Sequence, residues 1–149
     1  NDMNLISVDH HFQKALGLFF LRGVLGLIFL MQGYGKVFKI GIEKLYQGFF
    51  QDYTQLLPDF LVRFTAYYTS YAELLGGVLV ILGLFRLFAY LGLATVLMIV
   101  SFGHGLVEPI WNLDHVFYRT AILAVLFLIP LKYDRFSLDH LFAKSFSLT

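Results

Sequence analysis

The sequence predicts an all-α polytopic membrane protein, a four-helix bundle with an amphipathic helical loop between the first two helices. Three observations predict it. The 149 residues are 58% hydrophobic and 14% charged, against about 45–50% and about 25% in soluble domains. The apolar residues fall into long unbroken runs, where barrel strands would alternate over about ten residues. Several runs approach the roughly 20 residues that a spanning helix needs.

The first expected helix covers about residues 15–37 and the second about 61–84. The third covers about 88–106, and a shorter fourth covers about 116–131. The turn "GLFRLF" between helices two and three is so tight that the two must run antiparallel. Pro109 in "GLVEPIWNLDHV" is expected to stop helix three. Between helices one and two, Leu45, Phe49, Tyr53 and Leu56 recur near helical spacing, as in a short helix lying in the interface. The whole chain reads as one domain. The polar start "NDMNLISVDHHFQKALG" lacks the cationic and apolar regions of a signal peptide.

Composition narrows the function. A net charge of +1 gives no basic surface suited to nucleic acid. The lack of cysteine removes disulfides, thiol redox chemistry and cysteine-ligated metals. Lysine and arginine divide evenly between the two ends of the bundle, so the positive-inside rule gives no orientation. The basic C-terminal cluster favours cytoplasmic termini.

Polar groups at membrane depth carry the functional signal, because each costs at least ~2.5–3.5 kcal/mol on insertion scales. Arg22, Gly26, Phe29, Gly33 and Lys36 share one stripe of helix one. Ala66, Thr69, Glu73, Gly77 and Val80 share one stripe of helix two. Small residues let backbones approach closely in lipid, so both stripes are expected to face inward. Counting 1.5 Å per residue along antiparallel helices brings Arg22 within reach of Glu73. That pair either fixes register or belongs to an interhelical polar pocket. Glu73 is the candidate catalytic, proton-shuttling group. Arg22, Lys36, Gln32 and His104 are candidate ligand-binding residues, with Lys36 alternatively a snorkelling anchor. Lys36, His104 and Arg119 are expected near the opposite boundary. His104, Glu108, Asp114 and His115 have no diagnostic metal spacing, so no metal site is assigned. One histidine at membrane depth is a poor basis for haem.

Taken in order, these motifs resemble the DoxX family of small four-helix membrane proteins. "LRGVLGLIFLMQGYGKVF" carries the family's Arg, Gly-containing run and Gly-x-x-Lys as Arg22, Gly26, Gly33 and Lys36. "AELLGGVLVILGLFRLFA" carries its Glu-x-x-Gly-Gly, Leu-Gly and turn Arg as Glu73, Gly76, Gly77, Gly83 and Arg86. "YDRFSLD" is similar to its Ser-Leu-Asp ending, in Ser137, Leu138 and Asp139, but has Asp134 where a glycine is often found. The resemblance spans about residues 16–139. It implies a bacterial or archaeal cytoplasmic membrane and, for some members, a subunit of a quinone-linked oxidoreductase acting on sulfur compounds. A quinone is then the expected, non-covalent cofactor. The lipid bilayer and a partner protein or further copies of the chain are the expected partners. A non-catalytic structural subunit is the alternative. A transport element ranks last, since broken, inverted half-helices are missing from the pattern.

Overall fold

The computed structural model describes residues 10–107 and 113–146. Among them there is no strand. The helices are α1 (His10–Tyr34), α2 (Ile42–Leu45), α3 (Asp59–Leu82), α4 (Arg86–Val107), α5 (Asp114–Leu128) and α6 (Leu138–Phe146). The expected boundaries shift by a few residues, and α1 continues as a π-helical segment to Ile40. Pro109 and Glu108 lie outside the described residues. α1 packs on α3 and α5, and α4 packs on the same two helices, which closes a ring.

Two helical stretches, His10–Ile40 and Arg86–Val107, are long and apolar enough to cross a membrane. The outer surface agrees with a membrane setting. Phe20 on α1, Phe88 and Met98 on α4, and Leu128 on α5 are 66%, 73%, 71% and 81% exposed. Soluble monomers rarely present such continuous apolar surface.

Burying apolar side chains yields little free energy when the alternative is lipid, so close backbone packing has to hold the helices together. The two glycine-bearing stripes supply it. Gly26 and Gly33 on α1 are buried, as are Gly76 and Gly77 on α3. A Cβ on Gly33 would strike the backbone of Leu74, and one on Gly77 would lie 2.5 Å from the Leu30 nitrogen. At Gly76 the neighbour is a Leu93 side-chain methyl of α4, at 2.8 Å. Between the helices the interior is filled by Leu25, Phe29, Tyr90, Leu93 and Leu126.

Helix ends have local causes. α3 closes in a Schellman motif: Leu84 N–H donates to Leu79 O at 3.0 Å and Gly83 N–H to Val80 O at 3.2 Å. Gly83 adopts the left-handed conformation this needs, with φ 66°. Only residues 83–85 then separate α3 from α4, giving the antiparallel hairpin. α5 stops where Ile129 turns extended before Pro130.

The loop between α1 and α3 differs from the single amphipathic helix expected. It is α2, then a π-helical turn (Tyr46–Phe50), then a 3-10 turn (Gln51–Gln55). Ile42 and Tyr46 are buried against Val62 and Ala66, Leu45 is also buried, and Phe49 and Leu56 are exposed. The tightening and loosening of the helical turn rotates Phe49 and Leu56 off the stripe that α-helical spacing would give them. A further element, α6, was not anticipated from the sequence.

Gly33→Ala is expected to destabilise the protein by about 1–3 kcal/mol through overpacking. Gly23→Ala, on the same helix with open space at its Cα, should be neutral or stabilising, because alanine is the better helix former. Equilibrium unfolding of both variants in detergent checks the contrast; equal losses would contradict the packing described.

Candidate functional site

Two groups of buried charges lie at opposite ends of the α1–α3 contact. The first surrounds Arg22, which has no exposed surface. Arg22 Nη1 donates to the carbonyls of Val80 at 2.8 Å and Ile81 at 3.0 Å, and Nη2 donates to Phe136 O at 2.8 Å. Val80 and Ile81 belong to the last turn of α3, where the i→i−4 ladder ends and carbonyls are short of donors; Val80 O also accepts from Gly83 N–H. A cation there also complements the helix dipole. Arg22 Nε stands 2.8 Å from Asp134 Oδ2. The same oxygen is 3.0 Å from Arg86 Nη1.

Arg86 continues the chain of charges. Its Nε donates to Asp139 Oδ2 at 3.1 Å and its Nη1 to Leu131 O at 3.0 Å. Asp139 accepts the backbone N–H groups of Phe85 at 2.8 Å and Arg86 at 3.0 Å. It therefore caps the N-terminus of α4 from α6, where a carboxylate meets the positive end of the dipole. Ser137 Oγ accepts the backbone N–H of His140 at 3.3 Å and donates to Asp134 O at 2.7 Å. Gly83 is indispensable to this packing, since a Cβ there would lie 2.6 Å from Arg22 Nη1 and 2.5 Å from the Ser137 Cβ. Two guanidinium groups and two carboxylates thus balance in charge, with Asp134 Oδ1 buried and without a hydrogen-bond partner.

The second group centres on Glu73, only 1% exposed. Lys36 Nζ lies 2.7 Å from Glu73 Oε2. This corrects the expected Arg22–Glu73 pair, and the physical reason is the helix stagger. Gly33 packs against Leu74, and Gly26 against Gly77 and Ile81. Arg22, one turn before Gly26, therefore lies level with the end of α3, roughly 15 Å along the axis from Glu73. Lys36, one turn after Gly33, is delivered to Glu73 instead.

Among the described residues, Glu73 Oε1, Gln32 Oε1 and Arg119 Nε are buried without a hydrogen-bond partner, as is Asp134 Oδ1 in the first group. Arg119 comes from α5 and acts electrostatically on Glu73. Its guanidinium packs over the Phe29 ring, 5.4 Å from the centroid. Lys36 thus meets Glu73, whereas Arg22 belongs to the other cluster. His104 packs on His115, with 5.4 Å between ring centroids. Gly26, Gly33, Gly76, Gly77, Gly83 and Arg86 are structural.

Sequence reasoning did not single out Asp134 or Arg119 as site residues. Asp134 carried a signal, being a charged residue where the resemblance suggests glycine. Arg119 carried one too, as a cation a few residues into an apolar run.

The family profile described as DoxX matches residues 17–105. The chain belongs to the DoxX family. The matched stretch includes Arg22, Lys36, Glu73, Gly83 and Arg86, while Arg119, Asp134 and Asp139 lie beyond it. Membership agrees with the apolar helices in identifying a membrane protein. Comparison with curated proteins and with solved structures returned no match.

Removing one partner of a buried ion pair typically costs about 3–5 kcal/mol. Arg22→Ala and Asp134→Asn should each lose stability on that scale, with strong coupling in a double-mutant cycle. Arg22→Ala and Glu73→Gln should instead be additive. Unfolding of the single and double variants in detergent measures both.

Asp139 gives a pH test. Partial burial pushes its carboxyl up, but the backbone N–H groups of Arg86 and Phe85 and the Arg86 guanidinium outweigh this and hold it below the usual carboxylate range. A lowered folded pKa contributes stability that is present above the unfolded value, about 3.9. That stability is lost as pH falls through the folded value. Wild-type protein should therefore weaken below about pH 4, and Asp139→Asn should show a flatter acid limb in melts recorded across that range.

Proposed function

We propose that this chain is a redox-associated membrane subunit that holds a quinone-class head group between α1, α3 and α5. The observation that carries the reading is the buried Lys36–Glu73 pair, whose Glu73 Oε1 has no hydrogen-bond partner and on which Arg119, with its own unpartnered Nε, acts electrostatically. Leaving such groups unmade costs about 1–3 kcal/mol each, and more when they are charged. A ligand offering both hydrogen-bond acceptors and hydroxyl donors offsets that cost. Lys36 and Arg119 donate to carbonyl oxygens, while Glu73 and Gln32 accept from hydroxyls.

A bound quinone supplies two-electron, two-proton redox chemistry. The residues of this chain bind and orient it, and Glu73 holds or passes a proton at its free oxygen. The chain has no motif for an electron-carrying cofactor, so electrons come from a partner protein or directly from the substrate. In this reading α3 and α5 cross the membrane together with α1 and α4, giving four spans. A bacterial cytoplasmic membrane with cytoplasmic termini fits the resemblance.

The Arg22–Asp134–Arg86–Asp139 cluster favours a second reading, a structural subunit of a membrane complex. Its charges are spent on helix ends, and Gly83 leaves it no free space.

Quinone content after purification in mild detergent separates the two. Wild-type protein should retain quinone, and Glu73→Gln should lose about tenfold or more in occupancy with its fold intact, since tenfold corresponds to about 1.4 kcal/mol. Absence of quinone from both samples, with unchanged stability, supports the structural reading.

A further inference from the structure

The end of the bundle formed by the start of α1, the 3-10 turn Leu131–Tyr133 and α6 carries cations that the buried cluster does not use. Lys14, Lys132 and Arg135 are exposed. Among the described residues, no carboxylate forms an ion pair with any of them. The nearby acids Asp134 and Asp139 are already engaged by Arg22 and Arg86. At the opposite end, Arg63 is matched by Glu43 and Asp59, and Lys36 by Glu73. Lys39 and Lys44 at that end are also exposed and, among the described residues, form no ion pair, so what sets the α6 end apart is the convergence of its cations rather than their number.

Two of these cations converge. Lys14 Nζ lies 4.7 Å and Lys132 Nζ 5.2 Å from the centroid of the Tyr133 ring. The His11 ring stacks on the same tyrosine at 5.6 Å. The negative ring face attracts each ammonium, but like charges around one ring repel. An anion beside them relieves the repulsion.

The apolar surroundings say at what depth that anion lies. Phe136 packs edge-on against Phe12 and Phe19 of α1, at 6.0 Å in both cases. All three rings are largely exposed, as are Leu141 and Phe142 of α6. The apolar side of α6 is thus continuous with the outer surface of α1. A short amphipathic helix so placed lies in the interface, with tyrosine at head-group level. Cations at that depth sit in the phosphate layer, and acidic lipids of the cytoplasmic leaflet attract them most strongly.

We propose that this face binds acidic phospholipid head groups through Lys14, Lys132 and Arg135. The proposal is independent of any ligand at Lys36 and Glu73.

The test titrates the purified full chain in detergent with phosphatidylglycerol or phosphatidylcholine, reading bound lipid by native mass spectrometry and melting temperature in parallel. Phosphatidylglycerol should bind about tenfold or more tightly than phosphatidylcholine, a scale that follows from about 1 kcal/mol per basic residue near the surface. The triple variant Lys14→Gln/Lys132→Gln/Arg135→Gln should lose that preference, and Lys39→Gln/Lys44→Gln should keep it. Equal binding of the two lipids by wild-type protein would overturn the proposal, as would an unchanged preference in the triple variant. An equal melting shift from inorganic phosphate alone would assign a soluble-anion site instead and also overturn it. Should the triple variant not fold, salt decides with wild-type protein. Raising ionic strength from about 0.05 M to about 0.5 M should erase the preference by screening, and persistence of the preference would sink the idea.

Discussion

A bilayer interior has no water to solvate a guanidinium, so the placement of Arg22 constrains every element around it. Its donors must meet acceptors, and the acceptors at hand are the last carbonyls of α3, the backbone at Phe136 and the carboxylate of Asp134. Asp134 is shared with Arg86, and Arg86 with Asp139, which in turn caps α4. One chain of alternating charges thus ties the end of α3, the start of α4 and the approach to α6 to the middle of α1. Such a chain is neutral overall. It is worth more as a device for fixing register than as a source of net stability, because desolvating four charges consumes much of their attraction.

The glycine contact between α1 and α3 acts in concert with that cluster. It sets the stagger of the two helices to within a residue, since displaced glycines would meet side chains rather than backbone. The same stagger sends Arg22 to one end of the contact and Lys36 to Glu73 at the other. The resulting polar groups differ in kind. Around Arg22 the charges are spent on helix termini and a Cβ at Gly83 would already collide. Around Glu73 there are fewer partners than polar atoms, and a third helix adds Arg119. Each group holds a buried carboxylate oxygen without a hydrogen-bond partner, Asp134 Oδ1 and Glu73 Oε1, so the lack of room at Gly83, rather than the tally of partners, sets the first group apart.

The loop after α1 and the C-terminal helix show why some elements resist sequence reading. Leu45, Phe49, Tyr53 and Leu56 have near-helical spacing, yet changes in helical turn put only Leu45 of them in the buried set. α6 is short and rests on Ser137 and Asp139, whose roles become visible only when the C-terminal segment returns to the α3–α4 turn.

What the sequence by itself determined is local and periodic. The helical class follows from long apolar runs. The inward stripes follow from the 3.6-residue repeat: Arg22, Gly26, Phe29 and Gly33 are buried, as are Ala66, Thr69, Glu73, Gly77 and Val80. The α3–α4 hairpin follows from a glycine that tolerates left-handed backbone. What only the tertiary structure decided is which charge meets which. Partner choice depends on an axial offset of a few ångströms between helices and on a segment more than a hundred residues distant folding back to Arg22. Neither distance is encoded in spacing along one helix, so Asp134 as the partner of Arg22, and Lys36 as the partner of Glu73, emerged only from the packed chain.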